Sequence, residues 1–165
     1  MLNPQLLDPQ LYQIDSLTDE IRADQNCATL LRQIHQQLLQ QGESPLQAGL
    51  LARGADYFLR DFLIGHRRQN ILCPAAEAVW QFGGHWYIIQ NLEPDLDILM
   101  DILSGVATFY RLLNEQFPLP PATLERLLRD CHQRDIYACR LEQFWGLAPD
   151  GYDKWRQDCP LPPLD

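Results

Sequence analysis

The chain has 165 residues, 46% of them hydrophobic and 21% charged, so it can bury one sizeable core but is short for two independent domains. Its formal net charge of -9 opposes the binding of phosphate backbones and anionic lipid surfaces, which proteins hold chiefly with lysine and arginine. The sequence contains no apolar run of about 18 residues, and its first residues lack the pattern of a signal peptide. We therefore expect a single acidic domain in the cytoplasm, with no membrane contact.

The N-terminal part of the chain predicts an arm followed by a long helix. Residues 1–15 contain two prolines and scattered leucines, which is typical of an irregular arm that packs on the body. Ser16 and Asp19 have the spacing of a capping box, and an apolar stripe at helical spacing continues from there to Gly42. We expect the first helix to begin directly after Ser16.

A second helix is predicted from Ser44 and Pro45. Serine can cap free backbone amides, and proline in the first turn of a helix loses no hydrogen bond. A stripe of apolar and small residues follows at steps of three and four as far as Gly65, and it consists of Leu46, Leu50, Gly54, Tyr57, Phe58 and Phe62. Gly54 stands within this stripe, and its small size predicts a close crossing with another helix.

Later prolines mark the starts of further helices at Pro74, Pro94 and Pro121, since proline is favoured in the first turn. Asp135 is the predicted cap of a sixth helix that ends at Trp145. The proline-bearing residues 147–165 predict an irregular tail, with Tyr152 and Trp155 as its candidate anchors. Together these signals predict an all-α, single-domain bundle of five to six helices, with residues 16–146 as its body.

One stretch has an alternative interpretation. Val79–Phe82 and Trp86–Ile89 flank Gly83 and Gly84, and two such runs joined by a Gly-Gly pair are a hairpin signal. However, the second run does not alternate between apolar and polar residues, and the Pro-Ala-Ala-Glu opening at Pro74 favours a helix. We expect a helix here, with the hairpin as the alternative.

A short stripe of arginines lies on or just beyond the second helix. Spacing by seven residues keeps side chains on nearly one face of a helix, so these arginines could together bind phosphates. Asp56 and Asp61 interleave with them, and the alternative is therefore a solvated face of ion pairs. The stripe consists of Arg53, Arg60, Arg67 and Arg68.

The candidates for a metal site are weak. Asp97 and Asp101 share a helical face and could donate oxygens to a divalent cation, but acidic residues at a helix start are already explained by the helix dipole. Cys131, Asp135 and Cys139 recur every four residues, yet they lack the spacing of a zinc site. The five cysteines include no Cys-x-x-Cys pair, and we expect most to be reduced, buried thiols. We expect no metal and no cofactor.

The sequence contains no motif that indicates an enzyme. The sequence contains no phosphate loop, no His-Glu-x-x-His, no Gly-x-Ser-x-Gly and no dinucleotide fingerprint. A catalytic role would require His66 or His85 in a pocket beside a carboxylate or a thiol. Cys73 lies close to a predicted helix start, where a thiolate would be stabilised, but no base is assigned near it.

Two segments carry a resemblance to a known family. Ser104–Gln116, preceded by Tyr57–Phe62, is similar to the helical, SAM-like core-binding domain of tyrosine recombinases and phage integrases. The resemblance covers roughly residues 44–117 and implies a small helical bundle that clamps DNA. Only a short segment follows, without an Arg-His-x-x-Arg motif, so the resemblance does not imply recombinase activity.

Two functional hypotheses follow. The first is a non-enzymatic protein that acts through contacts with a protein partner or as a homodimer, using an aromatic patch of Trp80, Trp86 and Tyr87. The alternative is a nucleic-acid-binding domain that uses the arginine stripe, which the net charge disfavours.

Overall fold

The first long helix begins at the predicted cap. In the computed structural model, which describes residues 1–164, helix α1 spans Leu17–Gln40. The Oγ of Ser16 accepts a hydrogen bond from the amide of Asp19 at 3.1 Å, and the Asp19 carboxylate accepts one from the amide of Asp15 at 3.0 Å. The first bond satisfies one of the amides that a helix start leaves free, and the second ties Asp19 to the residue before the cap, so the predicted cap at Ser16 is confirmed.

The second helix starts as predicted and then changes its geometry. Ser44 caps α2, which spans Pro45–Asp56, by accepting a bond from the amide of Gln47 at 3.1 Å. The helix continues without a break into a π-helical segment, π1, at Tyr57–His66. A π-helix of this length is rare, and its wider turn changes the angular spacing on which the predicted arginine stripe depended.

The stretch with two interpretations is helical. α3 (Ala78–Gln81), a second π-helical segment π2 (Phe82–Trp86) and α4 (Tyr87–Gln90) form one continuous helix, and residues 1–164 contain no strand. The helical prediction is confirmed and the hairpin alternative is wrong. Gly83 and Gly84 lie within this helix, where they allow neighbouring side chains to pack against its backbone, and they do not form a turn.

The space around the two glycines is too small for a side chain, as the distances from a Cβ atom at each position show. A Cβ at Gly83 would lie 2.8 Å from the Tyr137 ring, and one at Gly84 would lie 2.9 Å from the sulfur of Cys159. Real side chains do not approach this closely, so only glycine fits at either position.

The prolines predicted as helix starts have different outcomes. Pro121 is the first residue of its helix, whereas the helix predicted at Pro94 begins at Leu96 and the one predicted at Pro74 begins only at Ala78. α5 spans Leu96–Gln116 and is capped by Asp95, whose Oδ1 accepts a bond from the amide of Ile98 at 2.9 Å. α6 spans Pro121–Asp130. The structure confirms an all-α, single compact domain whose body contains six continuous helices. No helix within residues 1–164 combines the length and the apolarity that a membrane crossing requires.

The start of the last body helix differs in detail from the prediction. α7 spans Arg134–Trp145, and the preceding Gln133 makes no side-chain capping bond. Asp135 lies inside the first turn instead of capping the helix. A carboxylate at that position is still favoured by the helix dipole, which explains why it resembled a start signal.

The arm and the tail are more regular than predicted. Two 3-10 helices, Pro4–Leu7 and Pro9–Tyr12, form the arm, and the buried hydroxyl of Tyr12 donates to the carbonyl of Leu6 at 2.8 Å. The tail contains helix α8 at Tyr152–Asp158. The prediction of an irregular tail is therefore wrong for these seven residues.

Trp155 and Arg140 explain why α8 forms. The indole of Trp155 is 2% exposed, and the guanidinium carbon of Arg140 lies 4.0 Å from the centre of the indole. Arg140 Nη1 donates to the carbonyl of Trp155 at 2.7 Å, while the indole Nε1 donates back to the carbonyl of Arg140 at 3.0 Å. Tertiary packing therefore stabilises a helix too short to persist alone.

The most extensive helix pairing in the molecule joins α2 to α5. A Cβ at Gly54 on α2 would lie 2.8 Å from the Cα of Ile102 on α5. A Cβ at Gly105 on α5 would overlap the carbonyl oxygen of Leu51 and lie 2.9 Å from the amide nitrogen of Ala55. The two backbones therefore touch directly, and the close crossing predicted at Gly54 is confirmed.

This crossing generates a test with an internal control. Gly105→Ala forces a methyl group into the backbone of α2 and should lower the free energy of unfolding by about 2–3 kcal/mol, as overpacking of a core does. Gly49 also lies on α2, but a methyl group added there would meet no neighbouring atom within 4 Å. Gly49→Ala should raise the free energy of unfolding by about 0.5–1 kcal/mol, because alanine is the better helix former. Urea unfolding followed by circular dichroism measures both; a Gly105→Ala chain as stable as the parent would contradict the crossing.

Candidate functional site on the two sides of the second helix

Two depressions run along the sides of α2. The first, here named the apolar groove, lies between α2 and α5 and has a volume of about 470 Å³. The second, here named the cationic cleft, lies between α1 and α2 and has a volume of about 370 Å³. Arg53 and Asp56 line both. The apolar groove is also lined by Leu50, Gly54, Tyr57, Ile98, Asp101 and Ile102, and the cationic cleft by Ala28, Leu31, Arg32, His35, Ala52 and Arg60.

The apolar groove presents large hydrophobic side chains to solvent. Ile98 is 55% exposed and Leu50 is 39% exposed, although both belong to well-formed helices. Tyr57 stands at the junction of α2 and π1, where its hydroxyl accepts a bond from the Asn91 amide at 3.3 Å. Asp101 on α5 adds a carboxylate to the rim and forms no ion pair within residues 1–164.

Arg60 in the cationic cleft is held by two carboxylates. Its Nε and Nη2 donate to Asp24 at 2.9 and 3.0 Å, and its Nη1 donates to Asp56 at 2.9 Å. The hydrogen bonds that Arg60 donates to Asp24 are the main reason why the pKa of Arg60 is raised. This arginine is therefore committed to a structural network that joins α1, α2 and π1.

The other predicted arginines have separate surroundings. Arg67 is half-buried and donates from Nη1 to the carbonyl of Pro162 at 2.7 Å, and its burial lowers the pKa of the guanidinium. Arg68 adopts a positive φ of 52° and lies 4.0 Å from the carboxylate of Glu20. Of the stripe, only Arg53 forms no ion pair or hydrogen bond of its own within the described chain. The four side chains do not share one free surface.

The alternative prediction, that Asp56 and Asp61 form ion pairs with the arginine stripe, is confirmed for only one of the two. Asp56 pairs with Arg60, but Asp61 makes no ion pair in residues 1–164. Burial is the main reason why the pKa of Asp61 is raised, with the charge of Asp56 adding to it.

The aromatic patch predicted at Trp80, Trp86 and Tyr87 is not on the surface. Trp86 is 5% exposed and Tyr87 is 3% exposed, whereas Trp80 is half-buried against Tyr137 at 6.1 Å between ring centres. The Trp86 ring lies 5.2 Å from that of Phe62 on π1. A helix that is apolar on all sides packs inside a domain, so the patch prediction is wrong for the two buried rings.

The residues of the two candidate metal sites are not brought together to hold an ion. Asp97 forms an ion pair with Arg134. Cys131 is buried, and burial raises the pKa of its thiol to about 12, whereas Cys139 is exposed on α7, contrary to the expected burial. Among residues 1–164, no three His, Cys, Asp or Glu side chains are grouped for metal binding. Most of the cysteines are buried, as predicted: Cys27, Cys131 and Cys159 are, while Cys73 and Cys139 are not.

Neither candidate histidine faces a catalytic partner. His85 is 2% exposed, and its Nδ1 donates to the carbonyl of Cys159 at 2.7 Å. The nearby thiol of Cys159 donates to the carbonyl of Trp80 at 3.4 Å, and burial raises its pKa to about 12. His66 stacks on Phe62, with 6.2 Å between ring centres. Both imidazoles pack against aromatic rings instead of lining an open pocket with a carboxylate or thiolate.

Sequence reasoning missed the residues that line the two depressions from neighbouring helices. Arg32 and His35 on α1 were not predicted as site residues, because only the neighbouring helix makes their face one side of a cleft. Ile98 gave no distinctive signal, because exposed apolar residues are common on protein surfaces and only the fold brings Ile98 next to Leu50.

Comparisons with protein-family models, with curated proteins and with solved structures give no match to this chain. The grooves along α2 therefore have to be interpreted from their own geometry and charge.

The buried imidazole predicts a pH dependence of stability. Burial lowers the pKa of His85 below its ordinary value of 6.5, so the unfolded chain binds a proton there more readily than the folded chain. The free energy of unfolding should reach its plateau above the ordinary pKa of histidine and should fall on acidification from about pH 7 to about pH 5.5. In His85→Asn, whose amide can donate to the same carbonyl, the urea midpoint should depend less on pH over this range. Equal pH dependence in the parent and the variant would refute this assignment.

Proposed function

We propose that the protein is a non-enzymatic binding module whose apolar groove receives an amphipathic helix from a protein partner. The observation that carries the proposal is the groove of about 470 Å³ in which Leu50 and Ile98 are exposed to solvent on two adjoining helices. Exposed apolar residues that converge on one depression favour a docking surface over isolated surface leucines.

The shape of the groove favours a helical occupant. Its walls are two crossing helices, and its apolar contacts come from Leu50 and Tyr57 on one wall and from Ile98 and Ile102 on the other. An amphipathic helix places apolar side chains at intervals of three and four residues and inserts them between such walls.

Charge favours a basic partner over a second copy of this chain. Among residues 1–164, Arg53 is the one unpaired cation in the lining of the groove. Carboxylates outnumber it, because Asp101 lies on the rim and Glu93 and Asp95 are exposed near the start of the same helix. The chain carries a net charge of -9, so two copies repel each other, while lysines or arginines beside the apolar face of a partner are attracted.

Nucleic-acid binding through the predicted arginines has weaker support. Arg60 is engaged by two aspartates, Arg67 bonds to a backbone carbonyl, and Arg68 faces a glutamate. The resemblance to recombinase core-binding domains remains a hypothesis about ancestry, because a DNA clamp needs cations free to contact phosphates.

A pair of probe peptides tests the proposal. The first has leucines at positions i, i+4 and i+7 with lysines on the flanks of that apolar face, and its twin has glutamates in place of the lysines. Fluorescence anisotropy should detect binding of the lysine peptide and not of its twin. Ile98→Asp should weaken that binding at least tenfold, even though the new carboxylate alone would attract lysine.

Ile136→Asp is the matched control. Ile136 is 43% exposed but lies on α7, outside the groove, so the same change of charge there should leave the affinity within about twofold. Equal binding of the two peptides, or equal weakening by the two variants, would refute the proposal. A homodimer by light scattering that Ile98→Asp dissociates would also refute it, because the occupant would then be a second copy.

A further inference from the structure

We propose that the cationic cleft binds a phosphoryl group on a small molecule, independently of the apolar groove. Arg32 and His35 approach the cleft from α1, and Arg53 approaches it from α2. The proposal concerns a different face of α2 from the docking groove and does not depend on a protein partner.

The charge balance of the cleft is opposite to that of the whole chain. Three arginines and one aspartate line it, and when Asp24, which pairs with Arg60, is counted with them, a surplus of one positive charge remains in a protein whose net charge is -9. Neither Arg32 nor Arg53 forms an ion pair within residues 1–164. Two cations that lack a carboxylate and face one cleft are suited to an anionic ligand.

Arg60 makes the cleft more favourable to an anion without being free to bind one. It holds the carboxylates of Asp24 and Asp56 at 2.9–3.0 Å, and Asp56 is the one carboxylate in the lining. Arg60 thereby offsets part of the charge of these two carboxylates, so Asp56 repels an anion less than an unpaired carboxylate would. The network of Arg60 is a structural support for the site.

The geometry leaves room for a compact anion. Ala28 and Ala52 stand on facing helices, and their small side chains keep open a cleft of about 370 Å³. One Nη of Arg32 donates to the hydroxyl of Thr29 at 2.9 Å, which orients the guanidinium and leaves its other N–H groups available. Guanidinium forks match the oxygens of a phosphoryl group, and His35 adds a further N–H donor.

A single phosphoryl group suits this cleft better than a polynucleotide. A nucleic acid requires a row of cations that follows successive phosphates, but Arg67 and Arg68 are engaged elsewhere. Carboxylates outnumber basic side chains over the whole chain, 22 to 13, so an extended polyanion is repelled beyond the cleft.

Titration with phenyl phosphate and with inorganic phosphate tests the site, and the two probes separate an organic monoester from the free ion. In two-dimensional NMR at low salt, saturable shifts should be confined to amides near Ala28, Arg32 and Ala52. Arg32→Gln should weaken phenyl phosphate binding about tenfold or more, as loss of a charge-assisted hydrogen bond does. Arg32 lines the cleft and not the apolar groove, so this variant should leave binding of the lysine peptide intact.

Arg111→Gln is the control for net charge. Arg111 is exposed on α5 beside His132, outside the cleft, and its loss should leave the affinity for phenyl phosphate within about twofold. Absence of saturable shifts from both phosphates, or equal weakening by the two variants, would overturn the proposal. Equal affinity for benzoate would overturn the phosphoryl specificity, and much tighter binding of a short oligonucleotide would point to a polyanion site instead.

Discussion

The direct contact between the backbones of α2 and α5 is the constraint on which the rest of the structure depends. At Gly105 the main chain of α5 meets the carbonyl of Leu51, and at Gly54 the main chain of α2 meets Ile102. Helices packed through larger side chains lie 8–10 Å apart at their axes, and absence of side chains at the crossing permits a closer approach. The close approach fixes the orientation of α2, and it thereby sets which residues of α2 are buried and which form the edges of the two depressions.

Because α2 is fixed in this way, its two sides can differ in chemistry. One side meets α5 and leaves Leu50 exposed in an apolar groove, while the other meets α1 and places Arg53 across from Arg32 in a cationic cleft. The two surfaces share Arg53 and Asp56 at their common edge, while their other lining residues differ. The second constraint is the aromatic packing of the π-helical segments, which places Trp86 in the core beside Phe62 and supports the end of α2 from within.

Local signals account for what the sequence predicted well. Caps at Ser16 and Ser44 act on amides within three residues, so these two helix starts could be located without knowledge of the tertiary fold. Asp95 acts in the same way on the amide of Ile98, but that start was predicted at Pro94. The buried face of α2 was harder to predict. The predicted apolar stripe included Leu46 and Leu50, but both are exposed, and the buried positions include the small residues Ala48 and Ala55 together with Leu51. Hydrophobicity predicts burial of the larger residues, but a crossing through glycines buries small ones.

The prediction of an exposed aromatic patch was wrong for a related reason, because periodicity cannot distinguish a helix that is apolar on all sides from one with an exposed aromatic face. The cationic cleft could not be predicted, because it exists only once α1 and α2 are placed side by side.

Amide hydrogen exchange across α2 and α5 tests the central constraint most directly. If the crossing holds the domain together, the amides of residues 51–55 and 103–107 should exchange with the same free energy of opening, equal to that of global unfolding. Exchange of the α2 amides at a much lower free energy, while those of α5 remain protected, would show that α2 opens alone and would contradict the account.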